Sequence, residues 1–382
     1  MIVHGVQKKK INGRGFPPTE ENMKHRIGFI GFGGMGGGYH FEVTRDRKDA
    51  CDDLAPVAVY DVRQCQRDLA VERGLKAYDN LEEFLASDEF DIVVVATPNQ
   101  FHCELACKAL EAGKHVICEK PVAMSLEEFD KMVETSHRVG KYFFVHQNRR
   151  FDTDMLIVKH AVETGRLGKL TSVESAFTGG YMEGWRTQFN HGGGILYDWG
   201  VHLIDQIVYL FSLVNDKPVS VYAKLRNENL KEVDDNTTVD ITFESGATAR
   251  VWVSGSSSLA PINRWLVRGE MGQLWIPEHY AKNGKLKYWT ETSWSTDDID
   301  VYDENGAFKK EREARNRHNV QTVDYPDDGY ELKQDWVGLY ISMFDTIDNG
   351  APMLVTHEQA RQVLSIIKAA HESSKTNTVV KI

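Results

Sequence analysis

The first 150 residues alternate between short continuous apolar runs and segments in which apolar positions have a helical spacing. The runs are short enough to be buried strands, and they lie at residues 27–30, 57–60, 92–96, 115–118 and 142–145. Two helix starts are also visible, because Asn80 and Ser125 each stand three residues before a glutamate, as in a capping box. Strands that alternate with helices in this way predict a doubly wound parallel sheet.

Beyond residue 151 the pattern changes to a period of two, which is typical of half-buried strands. Segments of this kind lie at residues 219–225, 238–243, 247–253, 264–268 and 273–276. They predict a large open, mostly antiparallel sheet with helices on one face. A last helix is predicted after the capping residue Thr356, and we expect it to pack back onto the first domain through an apolar stripe of Ala360, Val363, Leu364, Ile367 and Ala370.

These patterns divide the chain into four parts. Residues 1–23 show no periodicity and form an amino-terminal extension, and residues 24–150 form a first α/β domain. Residues 151–355 form a second α/β domain, and residues 356–382 form the returning helix. A chain of 382 residues is too long for one ordinary hydrophobic core, which agrees with a division into two domains.

Composition excludes several classes of function. The formal net charge is −11 and no basic stripe occurs beyond residues 8–10, so we expect no nucleic-acid partner. No stretch approaches the roughly 20 apolar residues of a membrane span and the start lacks a secretory signal, so we expect a cytoplasmic protein without membrane contact. The five cysteines all lie in the first third of the chain, which indicates free thiols. No metal site is predicted, because His102, Cys103 and Cys107 span about one helical turn without a second ligand pair.

A glycine-rich turn follows the first predicted strand. Gly31, Gly33 and Gly36 fit the G-x-G-x-x-G spacing, which allows a tight turn, a close approach to a pyrophosphate and close packing of the next helix. The second strand ends at Asp61, a carboxylate suited to bind a ribose 2′-hydroxyl and to repel a 2′-phosphate, although Arg63 could receive that phosphate instead. The pattern predicts a dinucleotide site with NAD preferred, formed by Gly31, Phe32, Gly33, Gly34, Met35, Asp61, Val62 and Arg63.

Three further segments follow predicted strands of the first domain, at residues 97–102, 118–121 and 146–152. Ligands of a doubly wound fold bind outside the carboxyl ends of its strands, so we expect these segments to face a ligand. Lys120 stands between a strand end and Pro121, in a rigid turn from which its ammonium group could stabilise a substrate alkoxide. The alternative is a solvated turn lysine without a chemical role.

The segment at residues 192–205 begins with three glycines and continues as an amphipathic helix. Asp198, His202 and Asp205 lie at positions i, i+4 and i+7, so they share one face of this helix. Histidine exchanges a proton near neutral pH, and a neighbouring carboxylate can orient its ring. The pattern indicates an acid/base pair of Asp198 and His202, and the alternative is a structural histidine with solvated acids nearby.

Taken in order, these motifs resemble the motif series of the Gfo/Idh/MocA oxidoreductase family over about residues 24 to 382. The resemblance implies a Rossmann domain followed by an α/β domain with a large open sheet. It also implies NAD(P)-dependent redox chemistry on sugars or cyclitols. Homo-oligomers formed through that sheet are implied too, as dimers, tetramers or larger assemblies. The long extension before residue 24 and the glycine-heavy run after Met35 depart from the family pattern, and the second could loosen the first helical turn.

The resemblance also implies roles for individual residues. Lys120 would contact the reacting hydroxyl, while Asp198 and His202 would supply acid/base function. The nicotinamide half of the cofactor would be lined by Thr97, Pro98, Asn99, His102, Glu119, Lys120, Trp185 and Arg186. Besides Lys120, Asp198 and His202, the candidates for contacts to substrate hydroxyls or for stacking on a sugar face are Arg150, Tyr181, Trp185 and Trp199. The alternative for the aromatic candidates, and the more common one, is a role in packing.

The chain is therefore predicted to be an NAD-dependent dehydrogenase that transfers a hydride at a secondary hydroxyl of a sugar, cyclitol or glycoside. One alternative is a glycosidase that recycles bound NAD through a transient keto-sugar and forms no net NADH. Another is a non-catalytic protein that senses a sugar or NAD. The presence of Lys120, Asp198 and His202 together argues against the second alternative.

Overall fold

The computed structural model describes residues 25–46, 54–179, 182–255, 263–289, 305, 320–332 and 336–382, so the predicted extension 1–23 lies outside the described residues. In this part of the chain, the first domain contains a parallel sheet in the order β3-β2-β1-β4-β5-β6. The strands are β1 (His25–Ile30), β2 (Leu54–Tyr60), β3 (Lys76–Tyr78), β4 (Ile92–Val95), β5 (His115–Cys118) and β6 (Phe143–Val145). Because β1 pairs with both β2 and β4, the strand order reverses there and leaves a crevice at the carboxyl ends.

Helices cover both faces of this sheet, because its central strands are apolar on both sides. Phe29 and Ile30 of β1 and Val93 and Val94 of β4 are all fully buried. The helices are α1 (Phe41–Asp46), α2 (Gln64–Glu72), α3 (Leu81–Ala86), α4 (His102–Glu111) and α5 (Leu126–Val139). The predicted caps of α3 and α5 are present, since the side chains of Asn80 and Ser125 accept the N–H groups of the glutamates three residues on.

The second domain contains a sheet in the order β14-β13-β12-β11-β7-β10-β9-β8-β15. Its strands are β7 (Leu170–Thr178), β8 (Pro218–Arg226), β9 (Asn236–Phe243), β10 (Thr248–Ser254), β11 (Trp265–Gly269), β12 (Gly272–Ile276), β13 (Gly284–Trp289), β14 (Val320–Tyr325) and β15 (Val380–Lys381). Neighbouring strands are antiparallel except for the pair of β7 and β10. The helices α6 (Thr153–Glu163) and α7 (Val201–Ser212) share its core. The predicted fold class, a Rossmann domain plus a mostly antiparallel open sheet, is thus confirmed.

A helix that the sequence analysis assigned to the second domain packs against the first. This helix, α8 (Val337–Asn349), contributes Leu339, Tyr340, Met343 and Phe344 to the hydrophobic core beneath the parallel sheet. Residues 337–349 therefore belong structurally with the Rossmann domain, although they lie within the predicted range 151–355. No described helix has the length and apolar character needed to cross a membrane.

The final helix, α9 (His357–Thr376), begins at the predicted capping box on Thr356 but bridges both domains. Ala360 and Leu364 lie in the core of the first domain, whereas Val363, Ile367 and Ala370 lie in the core of the second. Helical spacing places these two sets on neighbouring faces of α9, so each face packs into a different core. The twenty residues of α9 also span about 30 Å, which carries the helix onto α7 and β8.

Candidate active site

A cleft of about 870 Å³ opens at the carboxyl ends of the parallel strands and is closed on its other side by the second domain. Its size suits a cofactor and a small substrate. Many of the residues predicted for the site line this cleft: Gly31, Gly33, Gly34, Met35, Asp61, Val62, Arg63, Thr97, Pro98, Asn99, Glu119, Lys120, Trp185, Arg186 and Asp198. The predicted residue Tyr181 lies outside the described residues.

The glycine turn has the geometry of an anion cradle. Gly31 has a φ of +89°, and a Cβ at Gly36 would lie 2.0 Å from the carbonyl oxygen of Gly31, so both positions require glycine. Among the described residues, no acceptor takes the backbone N–H groups of Gly33, Gly34 or Met35. Unpaired N–H groups ahead of a helix fit a pyrophosphate, so the turn fits the cofactor that the sequence predicts.

The structure adds two details to this turn. The side chain of Phe32 is fully buried in the core, so this residue does not line the cleft with its ring and serves through its backbone N–H, which donates to Asp61 at 2.8 Å. The glycine-heavy run does widen the following turn, because residues 36–40 form a π-helical turn before α1 begins.

Asp61 is held rigidly at the end of β2. Its carboxylate accepts two backbone hydrogen bonds, from the N–H of Phe32 and, at 2.9 Å, from the N–H of Arg63. The guanidinium Nε of Arg63 also donates to Oδ1 at 3.2 Å. Burial alone would raise the pKa of Asp61, but these hydrogen bonds outweigh it and the pKa lies below its usual value. Asp61 therefore stays ionised at neutral pH in the position predicted to meet a ribose.

Lys120 reaches across the cleft to the second domain. Its Nζ donates to the carbonyl oxygen of Asp198 at 2.7 Å and to Oδ1 of the same residue at 3.2 Å. Nε of Arg186 donates to that Oδ1 at 3.3 Å. Although burial raises the pKa of Asp198, the charges of Lys120 and Arg186 overcome this effect and hold it below its usual value. An ammonium has three N–H donors, so one remains available to a substrate oxygen.

The Glu119 carboxylate is fixed by two histidines at the bottom of the cleft. His40 Nε2 and His146 Nδ1 lie 2.9 and 2.8 Å from Oε1, and Oε2 accepts the backbone N–H of Lys120 at 3.0 Å. Burial raises the pKa of Glu119, but both histidines overcome this and hold it well below its usual value. Burial lowers the pKa of His40 to about 4, so its ring is neutral. His146 belongs to a segment predicted to face a ligand, whereas no local pattern marks His40.

His202 is almost completely buried and is not among the residues that line the cleft. Burial, reinforced by the positive charges of Lys120 and Arg149, holds the pKa of His202 well below its usual value, so the imidazole is neutral at neutral pH. Its Nδ1 is buried without a hydrogen-bond partner among the described residues. Among the described residues, no hydrogen bond joins His202 to Asp198, whose carboxylate lies in a π-helical turn at residues 196–200 and accepts from Lys120 and Arg186.

Arg150 is not a substrate ligand. It is 2% exposed, and its Nε and Nη2 donate to the carboxylate of Asp205 at 2.8 and 2.7 Å. Nη1 donates to the carbonyl oxygen of Leu354 and to Oε1 of Gln359, both at 2.9 Å. Every guanidinium nitrogen thus has a protein partner, and Arg150 ties α7 to the start of α9.

Two further predicted contacts are also structural. Phe177 stacks on Trp199 with ring centroids 3.6 Å apart, and the Arg149 guanidinium lies 4.3 Å from the Trp199 ring centre. Two planar groups this close cannot share one face, so the indole is covered on both sides and cannot stack on a sugar. His102 is fully buried beneath the cleft, where its nitrogens lie 2.9 Å from the Pro121 carbonyl oxygen and 3.0 Å from the Thr97 carbonyl oxygen.

Comparison with known proteins identifies the class. Residues 25–147 match the model of the oxidoreductase family with an NAD-binding Rossmann fold, and residues 155–275 match the GFO/IDH/MocA C-terminal domain. The two matches together cover more than half of the chain. The protein therefore belongs to the Gfo/Idh/MocA family and is an NAD(P)-dependent oxidoreductase, as its motifs predicted.

Individual relatives align with between about half and nearly all of the chain. The structure of an NAD-binding protein from Listeria innocua is similar with a TM-score of 0.79 and 34% identity, over 94% of this chain and 97% of that one. The scyllo-inositol 2-dehydrogenase (NADP(+)) of Bacillus subtilis is 25% identical over 94% of this chain and 96% of its own length. The D-glucoside 3-dehydrogenase of Escherichia coli is 32% identical over 52% of this chain and 57% of its own length.

Proposed function

We propose that this protein is an NAD-dependent dehydrogenase that acts on a secondary hydroxyl of a sugar, a cyclitol or a glycoside. The observation that carries the proposal is the Lys120 ammonium, which lies in the cleft beside Asp198 and near a neutral His202. A cation in the cleft, with a neutral base close enough for its pKa to respond to that cation, suits the oxidation of an alcohol, whose oxygen loses a proton while its carbon loses a hydride. Two relatives whose names specify an inositol and a glucoside support the substrate class.

Lys120 and His202 have separate roles at the substrate oxygen, one as a hydrogen-bond donor and the other as a proton acceptor. The available N–H of Lys120 donates to this oxygen and stabilises the negative charge that develops on it. His202 accepts the hydroxyl proton, since its lowered pKa keeps it in the unprotonated form that a base requires. Asp198 holds the ammonium in place through two acceptor atoms. The nicotinamide ring, when bound, supplies the acceptor for the hydride, and the carbinol becomes a ketone.

The glycine turn and Asp61 would hold the dinucleotide, and Asp61 favours NAD. The carboxylate lies 4% exposed at the end of β2, where it can accept a ribose 2′-hydroxyl and repels a 2′-phosphate. The guanidinium of Arg63 pairs with the Asp61 carboxylate, with Nε 3.2 Å from Oδ1.

The substrate class can be tested with a panel of polyols, cyclitols and glycosides, with lactate and malate included as simple 2-hydroxy acids. We expect NADH to form with at least one polyhydroxylated compound and poorly with the hydroxy acids, because the site presents an acid, a base and hydrogen-bonding groups to a carbinol. The readout is the absorbance of reduced nicotinamide. Faster turnover of lactate or malate than of every polyol would contradict the class, and glycoside cleavage without net NADH would favour the recycling glycosidase instead.

Cofactor preference can be measured as kcat/KM with NAD and with NADP. The wild-type protein should prefer NAD, and Asp61→Ala should narrow the ratio because the repulsion of the 2′-phosphate is removed. Arg63→Ala is the matched variant, since a loss of NADP use in it would show that Arg63 receives the phosphate. A preference of the wild type for NADP would overturn the assignment.

Removal of the Lys120 ammonium should impair chemistry more than folding. Lys120→Ala is expected to lower kcat by at least about a hundredfold, with thermal unfolding within a few degrees of wild type and NAD affinity within several-fold. Asp198→Asn should give an intermediate loss, because it keeps an acceptor for Lys120 but removes the charge. The control is Lys76→Ala, which removes a lysine of β3 that pairs with Glu89. This variant should leave kcat unchanged. Retention of more than about a tenth of kcat by Lys120→Ala would refute the role.

A further inference from the structure

A buried carboxylate lies behind the active site without an ion-pair partner. Asp234, in the turn between β8 and β9, is 5% exposed, and no lysine or arginine of the described chain pairs with it. Burial raises the pKa of Asp234, an effect that hydrogen bonds and the nearby His371 offset only in part. A buried acid without a paired cation costs stability, so its position calls for a reason other than stability alone.

The contacts of Asp234 lie at the start of the helical segment that carries Asp198. Its Oδ2 accepts the backbone N–H of Leu196 at 3.0 Å and the hydroxyl of Thr237 at 2.5 Å. Its backbone carbonyl accepts the N–H of Ile195 at 2.8 Å. The first N–H groups of a helical segment have no partner within it, so Asp234 caps this segment from a different part of the chain.

The approach of Asp234 also explains a glycine of the 192–194 run. Gly194 has a φ of +110°, and a Cβ there would lie 2.2 Å from Oδ1 of Asp234. The same glycine accepts the N–H of Asp198 through its carbonyl oxygen and donates its own N–H to the carbonyl oxygen of Arg186, both at 3.0 Å. Gly194 therefore connects Asp234 with two residues of the cleft, Asp198 and Arg186.

We propose that Asp234 is a positioning residue of the active site, which fixes the backbone at residues 194–196 so that Asp198 meets Lys120 and Arg186. A displacement of about 1 Å at such a contact can cost roughly a hundredfold in rate. The kinetic consequence rests on the proposed function, whereas the effect on the backbone does not. The competing explanation is that Asp234 only stabilises the second domain.

The next residue supplies a matched control. Asp235 is 3% exposed and also accepts backbone hydrogen bonds, but its partners are the N–H groups of Glu228, Asn229 and Leu230 in its own loop. Both aspartates are thus buried acceptors for backbone N–H groups, and only Asp234 contacts the segment of Asp198. A purely stabilising role would give the two residues the same effect on turnover.

Kinetics with NAD and the most active polyol of the panel separate the two explanations. Asp234→Ala should lower kcat at least about tenfold relative to wild type. In Asp234→Asn, which keeps an acceptor oxygen, kcat should lie within about threefold of wild type. In Asp235→Ala, kcat should lie within about twofold of wild type. Unfolding is followed in parallel to confirm that each variant is folded. Equal kcat in wild type and folded Asp234→Ala would overturn the proposal.

Hydrogen exchange of the peptide covering residues 192–200 tests the backbone effect without any substrate. Exchange should accelerate in Asp234→Ala, because the N–H of Leu196 loses its acceptor, and should stay at the wild-type rate in Asp235→Ala. Unchanged exchange in Asp234→Ala would contradict the positioning role. If no polyol is oxidised by the wild type, the proposed function fails while this measurement still decides the role of Asp234.

Discussion

The ion pair between Lys120 and Asp198 joins the two domains where their functional residues meet. Lys120 follows β5 of the parallel sheet, and Asp198 precedes α7 of the second domain. Their side chains are 12% and 17% exposed, so the pair is shielded from most of the solvent and is stronger than a surface ion pair. The charge of Lys120 also helps to keep His202 neutral. The lysine of this contact therefore links the two domains, faces the substrate oxygen in the proposed reaction and adds to the effect of burial on His202.

Both halves of that contact are held from behind the cleft by His40, His146 and Asp234, which do not line it. Glu119 is clamped between His40 and His146 and holds the backbone N–H of Lys120. On the opposite side, Gly194 lies against Asp234 and holds the N–H of Asp198. Preorganised charges of this kind need no rearrangement when charge develops on a substrate oxygen, which is the condition for electrostatic catalysis.

The features that the sequence predicted well are those set by residues a few positions apart. The glycine spacing at Gly31 and Gly36, the capping residue Ser125 and the alternation of apolar positions each reflect local backbone constraints. Because the carboxyl ends of parallel strands share one edge, Asp61 and Lys120 could be placed at the same cleft without knowledge of any contact.

The features that the sequence analysis missed depend on partners far apart in the chain. Arg150 was predicted to contact a substrate in the cleft, but its guanidinium instead donates to the carboxylate of Asp205, 55 positions away in the chain. The indole of Trp199 is covered by Phe177 of β7, and the helical spacing of Asp198 and His202 is altered by a π-helical turn. Helical periodicity cannot reveal such a turn, and composition cannot reveal which buried groups pair.

The most direct test of the account is the rate of hydride transfer in a single turnover by His202→Ala, saturated with NAD and substrate and followed by the absorbance of reduced nicotinamide. If His202 accepts the substrate proton, this rate falls at least about a hundredfold below wild type while NAD affinity stays within several-fold. Transfer at the wild-type rate would contradict the account. It would show that His202 is a buried structural residue, and another group near Lys120 would have to accept the proton.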